Sequence, residues 1–158
     1  WGLDHGTWSV LSRMYPAADV PVFQLSVDRN APLRAHFEMG KLLKPLREEG
    51  VLILGSGNVV HNLERVNWGL EGGYPWAEVF DGYIKERVLA GDFEKVVDPR
   101  GAGASAQLSL PTPDHFAPLL YAMGAADESD AVTAFDDVCV MGSISMTSYL
   151  FEERESQA

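Results

Sequence analysis

The stretch VLILGSGNVVHN, Val51 to Asn62, decides the fold class. Four apolar residues in a row, Val51 to Leu54, read as a short strand covered on both faces, the kind found in sheets flanked by helices. Gly55-Ser56-Gly57-Asn58 then forms a sharp turn. His61 follows it, and in open α/β sheets ligands bind beyond the carboxyl ends of strands. Upstream, Gly6 to Tyr15 places Trp8, Leu11 and Tyr15 on one helical face and stops at Pro16. Val20 to Val27 (VPVFQLSV) reads as a buried strand with Pro21 near its start. A helix is expected from about Ala31 to Glu49, with Asn30 as cap, Pro32 in the first turn, Pro45 kinking the last turn and Gly50 as the left-handed stop. Its inner face carries Phe37, Gly40, Leu43 and Leu46, while Arg34, Lys41, Arg47 and Glu48 face water.

Downstream of the central stretch lies a glycine-rich patch, Gly69 to Gly73. Pro75 opens a helix that Gly91 stops, and Asp92 caps a short one reaching Val97. Pro99 to Ala106 has no periodicity and reads as flexible. Thr112-Pro113 begins a helix ending near Met123-Gly124, and Val138 to Phe151 reads as one or two strands. Residues 152–158 are an acidic tail. Alternating strand and helix signals define an α/β domain with a mixed central sheet flanked by helices.

Composition narrows the function. The 158 residues suffice for one domain with a sizeable core, and an apolar fraction of 46% with 22% charged residues is that of a globular protein. Twelve basic against 23 acidic residues give a net charge of −11, which repels nucleic-acid backbones and anionic membrane surfaces. The longest uncharged apolar run, Phe116 to Ala126, is too short to span a bilayer. The one cysteine, Cys139, permits no intrachain disulfide and no multi-cysteine metal motif; it reads as a buried small hydrophobe and fits a reducing, cytoplasmic setting.

Common catalytic motifs fail. A dinucleotide fingerprint begun by Gly55 and Gly57 needs a third glycine where Val60 stands. No phosphate loop, nucleophile elbow or H-E-x-x-H zinc motif occurs. Of the four histidines, His36 lies mid-helix and reads as structural, whereas His5, His61 and His115 each sit at a loop-to-helix boundary. With Thr112 as cap, His115 would be third in its helix, where the helix dipole disfavours an imidazolium and leaves the neutral ring that metals bind. Trp1, Trp8, Trp68 and Trp76 read as core or pocket wall, and Trp68, Tyr74 and Trp76 could line a pocket near the glycine-rich patch. Residues alone carry the reading as far as a possible histidine site.

The segments Leu3-Asp4-His5-Gly6-Thr7-Trp8, Met14-Tyr15-Pro16, Pro21-Val22-Phe23-Gln24-Leu25-Ser26, Gly55 to Leu63, Pro111 to Phe116, Leu119-Leu120-Tyr121 and Gly142-Ser143-Ile144-Ser145-Met146 stand together in one order. In that combination the chain resembles the DOPA-dioxygenase-type class III extradiol ring-cleavage dioxygenases over nearly its whole length. The resemblance implies cleavage of a DOPA-like catechol ring by molecular oxygen at one non-haem ion, Fe(II) or Zn(II), per complete domain. It implies that His115 is a metal ligand, that His61 is the base or a further ligand, and that His5 faces bound oxygen. It assigns Asn58 and Thr112 to the substrate. Small aromatic diol and O2 are the implied partners.

In that family two further metal-binding histidines precede the segment beginning at Trp1, and His36 cannot replace them. Residues 1–151 are therefore expected to be the C-terminal portion of a catalytic domain, weakly metal-binding and slow or inactive by itself. Two other readings compete: a zinc-dependent hydrolase on a related scaffold, and a non-catalytic binding module.

Overall fold

Asp4 starts the first helix by accepting the Thr7 N–H on its side chain at 2.9 Å, so α1 runs from His5 to Met14. These features belong to a computed structural model that describes residues 3–154. Trp1 and the last four residues of the acidic tail lie outside the described residues. α2 (Leu33–Leu43) tightens into a 3-10 turn (Lys44–Glu49) at Pro45 and ends at Gly50, whose φ of 78° is the expected left-handed stop. α3 (Pro75–Leu89) buries Ala77, Phe80, Ile84 and Val88, a stripe at helical spacing, and Gly91 follows with φ 70°. Three shorter helices complete the set: α4 (Phe93–Val97), α5 (Ala104–Ser109) and α6 (Ala117–Ala125).

Four strands pair among the described residues. β1 (Ala131–Phe135) runs antiparallel to β4 (Ser148–Glu152), with Thr133 opposite Leu150. β2 (Cys139–Val140) runs antiparallel to β3 (Ile144–Ser145). The core lies between α3, α6 and these ladders, with Phe80, Phe116, Ile84 and Leu120 fully buried. α2 crosses α6 at Gly40 and Gly124: a Cβ at Gly40 would collide with the Tyr121 carbonyl oxygen, and one at Gly124 with that of Phe37. Cys139 is buried, as expected, and burial pushes its thiol up to about 12. Among the described residues no helix is long and apolar enough to cross a membrane.

The α/β reading holds, and several of its elements change. Val20 to Val27 and Val51 to Leu54, expected as strands, carry no regular secondary structure and join no ladder among the described residues. Their apolar pattern suits a covered strand, yet covering needs a neighbour: Phe23 is 88% exposed and Leu52 57%. Asn30 does not cap α2; its N–H turns to the Asp28 carboxylate at 2.9 Å, and Pro32 takes the cap position. Arg47 is not a solvent residue, because its guanidinium bonds the buried Asp130 carboxylate at 2.6 Å and the Ala125 carbonyl at 3.0 Å. Pro99 to Ala106 is not irregular. A 3-10 turn at Pro99–Ala102 leads into α5, which packs on α3 and so needs little periodicity of its own. β1 had no strand signal; it is defined by its partner β4. Trp8 and Trp68 are exposed, Trp68 to 79%, which removes both from the core.

Candidate active site

The loop after Leu54 approaches the His115 segment so closely that only glycine fits. A Cβ on Gly57 would meet the His115 carbonyl oxygen, and the Asn58 N–H donates to that same carbonyl at 2.9 Å. This backbone contact sets two loops, remote in sequence, side by side. Val59 and Val60 are then buried and act as anchors, which leaves His61 at the loop's edge.

His61 is fixed from both sides. Its N–H donates to the Ser109 carbonyl at 3.1 Å, at the end of α5, and it forms an antiparallel bridge with Ile144. The Ser145 N–H donates to the Val60 carbonyl at 3.0 Å, and the Asn58 side-chain amide donates to the Ser145 carbonyl at 2.7 Å. One residue on, the Asn62 N–H donates to the Ser143 carbonyl at 3.1 Å, the Ser143 hydroxyl donates to the Asn62 carbonyl at 2.8 Å, and the Asn62 amide reaches the Leu108 carbonyl at 2.7 Å.

The result is a stacked imidazole pair. The His61 and His115 ring centroids lie 3.5 Å apart with only 11° between the planes. Burial lowers both pKa values. For His61 the neighbouring His115 adds to the effect and Asp114 opposes it; for His115 Asp114 opposes it and His5 adds to it. Both rings are therefore neutral at pH 7, and two cations stacked at this distance would repel strongly. His115 does not sit in the first turn of a helix as the sequence implied: α6 begins at Ala117, so burial, rather than position within a helix, keeps the ring neutral.

His5 opens α1 and joins the group through the backbone, since the Ser56 hydroxyl donates to the Gly6 carbonyl at 3.0 Å. Gln24 secures the same turn by accepting from the Asp4 N–H at 2.9 Å and the Thr7 hydroxyl at 3.1 Å. Asp114 is held below the usual carboxylate range by the Thr112 hydroxyl and by Arg29, 3.9 Å away. Thr112 is exposed and Asn58 half-buried with its amide committed to Ser145. Tyr74 and Trp76 stack with centroids 5.8 Å apart and line a shallow hollow with Glu64, Arg65 and Val66; Trp68 does not line it.

The donor chemistry suits a divalent ion in part. His115 carries a buried Nδ1 without a hydrogen-bond partner, and His61 is a second neutral imidazole beside it. Among the described residues, however, no three His, Cys, Asp or Glu side chains are grouped to enclose an ion. Two residue sets received no site role in the sequence reading. Ser109, Ser143 and Ser145 hold His61 largely through backbone groups, which leave no side-chain signature. Asp81 lies beneath Ser145, and its 64-residue separation gives no local pattern.

Residues 1–152 match the family model described as the catalytic LigB subunit of aromatic ring-opening dioxygenase. The chain is 46% identical over 155 residues to the 4,5-DOPA dioxygenase extradiol of Escherichia coli K12, covering 94% of this chain and 56% of that protein. It is 39% identical over 150 residues to the 4,5-DOPA dioxygenase extradiol of Beta vulgaris, again covering 56% of the relative. The crystal structure of an uncharacterized Escherichia coli K12 protein superposes with a TM-score of 0.85 at 44% identity, covering 94% of this chain and 62% of that one. The chain thus spans little more than half the length of these proteins.

Proposed function

This chain belongs to the family of the catalytic LigB subunit of aromatic ring-opening dioxygenases, and on that premise we propose that it serves extradiol cleavage of a DOPA-like catechol by O2. The observation that carries the reading is the stack of two neutral imidazoles, His61 on His115. A catechol must lose a proton before it can chelate a cation, and a neutral histidine can accept it. His61 is assigned that task because its lowered pKa leaves it unprotonated at neutral pH. His115, with its free buried Nδ1, is assigned as a metal ligand, and His61 as its neighbour able to add a second nitrogen. Fe(II) or Zn(II) would supply Lewis acidity that lowers the diol's pKa and a common site for diol and oxygen.

His5, at the start of α1, is assigned to donate a hydrogen bond or proton where negative charge develops on the reacting oxygens. Asn58, through the amide oxygen not engaged by Ser145, and Thr112 are assigned to the substrate's polar groups, each three residues before a member of the stack. Residues 1–151 are proposed as one part of the catalytic domain. Among the described residues the donor set is two imidazoles, and the segments 20–27 and 51–54 leave apolar side chains uncovered. Both features favour a working unit that spans the full length of the relatives, with the further ligands in the remainder.

The test uses protein of that full length, loaded with Fe(II) under argon and mixed with L-DOPA. Admitting air should give a yellow ring-opened product, and His61→Ala should slow its formation by about 100-fold or more, the usual contribution of a general base. Undiminished turnover in His61→Ala removes the base assignment. Product formed equally well under argon identifies a hydrolase instead.

A further inference from the structure

Asp81, on α3, is 5% exposed, and among the described residues no ion pair offsets the cost of burying its carboxylate, Lys85 being paired with Asp137. Two hydroxyls satisfy it: Ser145 donates to one carboxylate oxygen, and Thr147 donates to the other at 2.6 Å. The Thr147 N–H closes the arrangement by donating to the Ser145 hydroxyl oxygen at 3.2 Å. For stability alone, well-packed apolar side chains often serve as well as buried charge. What an ionised carboxylate adds is a pair of fixed acceptors, which hold residues 145–147 in one register.

That register matters because the same short segment carries the His61 loop. Ser145 binds Val60 through its N–H and Asn58 through its carbonyl, while Ile144 pairs with His61 itself. The chain of contacts therefore runs from α3 through the Ser145 hydroxyl to β3 and through the Thr147 hydroxyl to the segment just after it, and from β3 to Val60 and His61. A small displacement of β3 would slide one imidazole across the other, since no hydrogen bond joins the His61 and His115 rings.

We propose that Asp81 is a positioning residue for the ring-cleavage site, holding β3 through Ser145 and Thr147 so that His61 stays stacked on His115. This rests on the reading of His61 as the base.

The experiment measures turnover in the metal-loaded full-length enzyme for Asp81→Asn, alone and combined with His61→Ala. Asp81→Asn keeps the shape and replaces one acceptor by a donor. Alone it should lower kcat about tenfold with KM within about twofold, since sub-ångström misplacement of a catalytic group already costs rate. In the His61→Ala background it should change kcat less than about twofold, because a residue acting through His61 has nothing left to position. An equal loss in both backgrounds, or wild-type kcat in Asp81→Asn, overturns the proposal.

Thr147→Val, which removes one donor at constant shape, covers the case in which Asp81→Asn does not fold. It should give a smaller His61-dependent loss that Thr147→Ser restores. Imidazole proton resonances provide a readout that does not depend on ring cleavage. Those of His61 and His115 should shift in Thr147→Val while that of His36, buried against Tyr121, stays in place. Unmoved His61 and His115 signals overturn the positioning role even if the enzyme proves to have another activity, whereas shifted signals without ring cleavage fault only the assigned reaction.

Discussion

Two regions of the molecule carry apolar residues of similar kind and meet opposite fates. Residues 58–62 bury Val59 and Val60 and bond to Ser109, Ser143, Ser145 and His115. Residues 20–27 and 51–54 are as apolar, yet they leave Phe23 and Leu52 largely exposed, and their described tethers are the Gln24 side chain and the Val51 N–H, which donates to the Leu46 carbonyl at 3.1 Å. The contrast is one of partners rather than composition. β3, with Ser109, His115 and Ser143, supplies the first region with its neighbours within this chain, and no described strand does so for the second. The better-supported of the two regions is the one that holds His61.

The sharpest way to break the contrast is to disturb the close backbone approach in the first region. Gly57→Ala places a methyl against the His115 carbonyl and must push the two loops apart. We expect a loss of about 1–3 kcal/mol, the usual range for overpacking a tight site. The proposed ring-cleavage activity, measured in protein of the relatives' full length, should fall about 100-fold, because the imidazole pair separates. Thermal melting and turnover on the same preparation check both numbers. A variant that melts and turns over like the wild type would show that this contact is slack.

A second substitution probes the exposed region. Replacing Phe23 by Ser should change the melting temperature of the isolated chain very little, as exposed sites usually contribute within about 0.5 kcal/mol. It should also reduce self-association seen by light scattering. In protein of the relatives' full length the same change should cost about 1.5–3 kcal/mol, the value of burying a large apolar side chain. Equal effects in both backgrounds would mean that the remainder of the protein leaves this face uncovered.

The same contrast explains what the sequence could and could not disclose. α1, α3 and the left-handed stop at Gly50 were legible because caps, proline positions and helical stripes are local signals. The segments 20–27 and 51–54 were legible as apolar patterns, but a ladder is a property of two segments, and nothing pairs with them among the described residues. β1 was illegible for the converse reason: a weak pattern, AVTAF, is made a strand by pairing with β4. His61 and His115 were picked out by their shared context at element boundaries, whereas their stacking depends on Gly57, whose close approach has no signature beyond being glycine. The buried Asp81 and the Arg47–Asp130 pair were invisible because charged residues ordinarily face water.

The smallest effect concerns acid stability and tests whether the buried histidines behave alike. His36 is 1% exposed, with Nδ1 3.2 Å from the Tyr121 hydroxyl and Nε2 without a partner; burial lowers its pKa below the ordinary 6.5, against the weaker pull of the Ala31 carbonyl and Asp28. His61 and His115 are shifted the same way by burial. A lowered native pKa means that the unfolded chain takes up protons first as the pH falls. The stabilisation is then complete above 6.5 and declines from there toward the native values. Asp81, raised by burial, has the opposite sign, but it acts above the ordinary carboxylate value of 3.8 and so fades as the pH approaches neutrality. Melting temperature should therefore drop between pH 7.5 and 5.5. His36→Gln, which can keep a hydrogen bond to Tyr121 but cannot titrate, should flatten that drop without abolishing it, since the stacked pair still contributes. A slope unchanged by His36→Gln would place the whole acid sensitivity on His61 and His115, and with it the weaker link of the fold at the site itself.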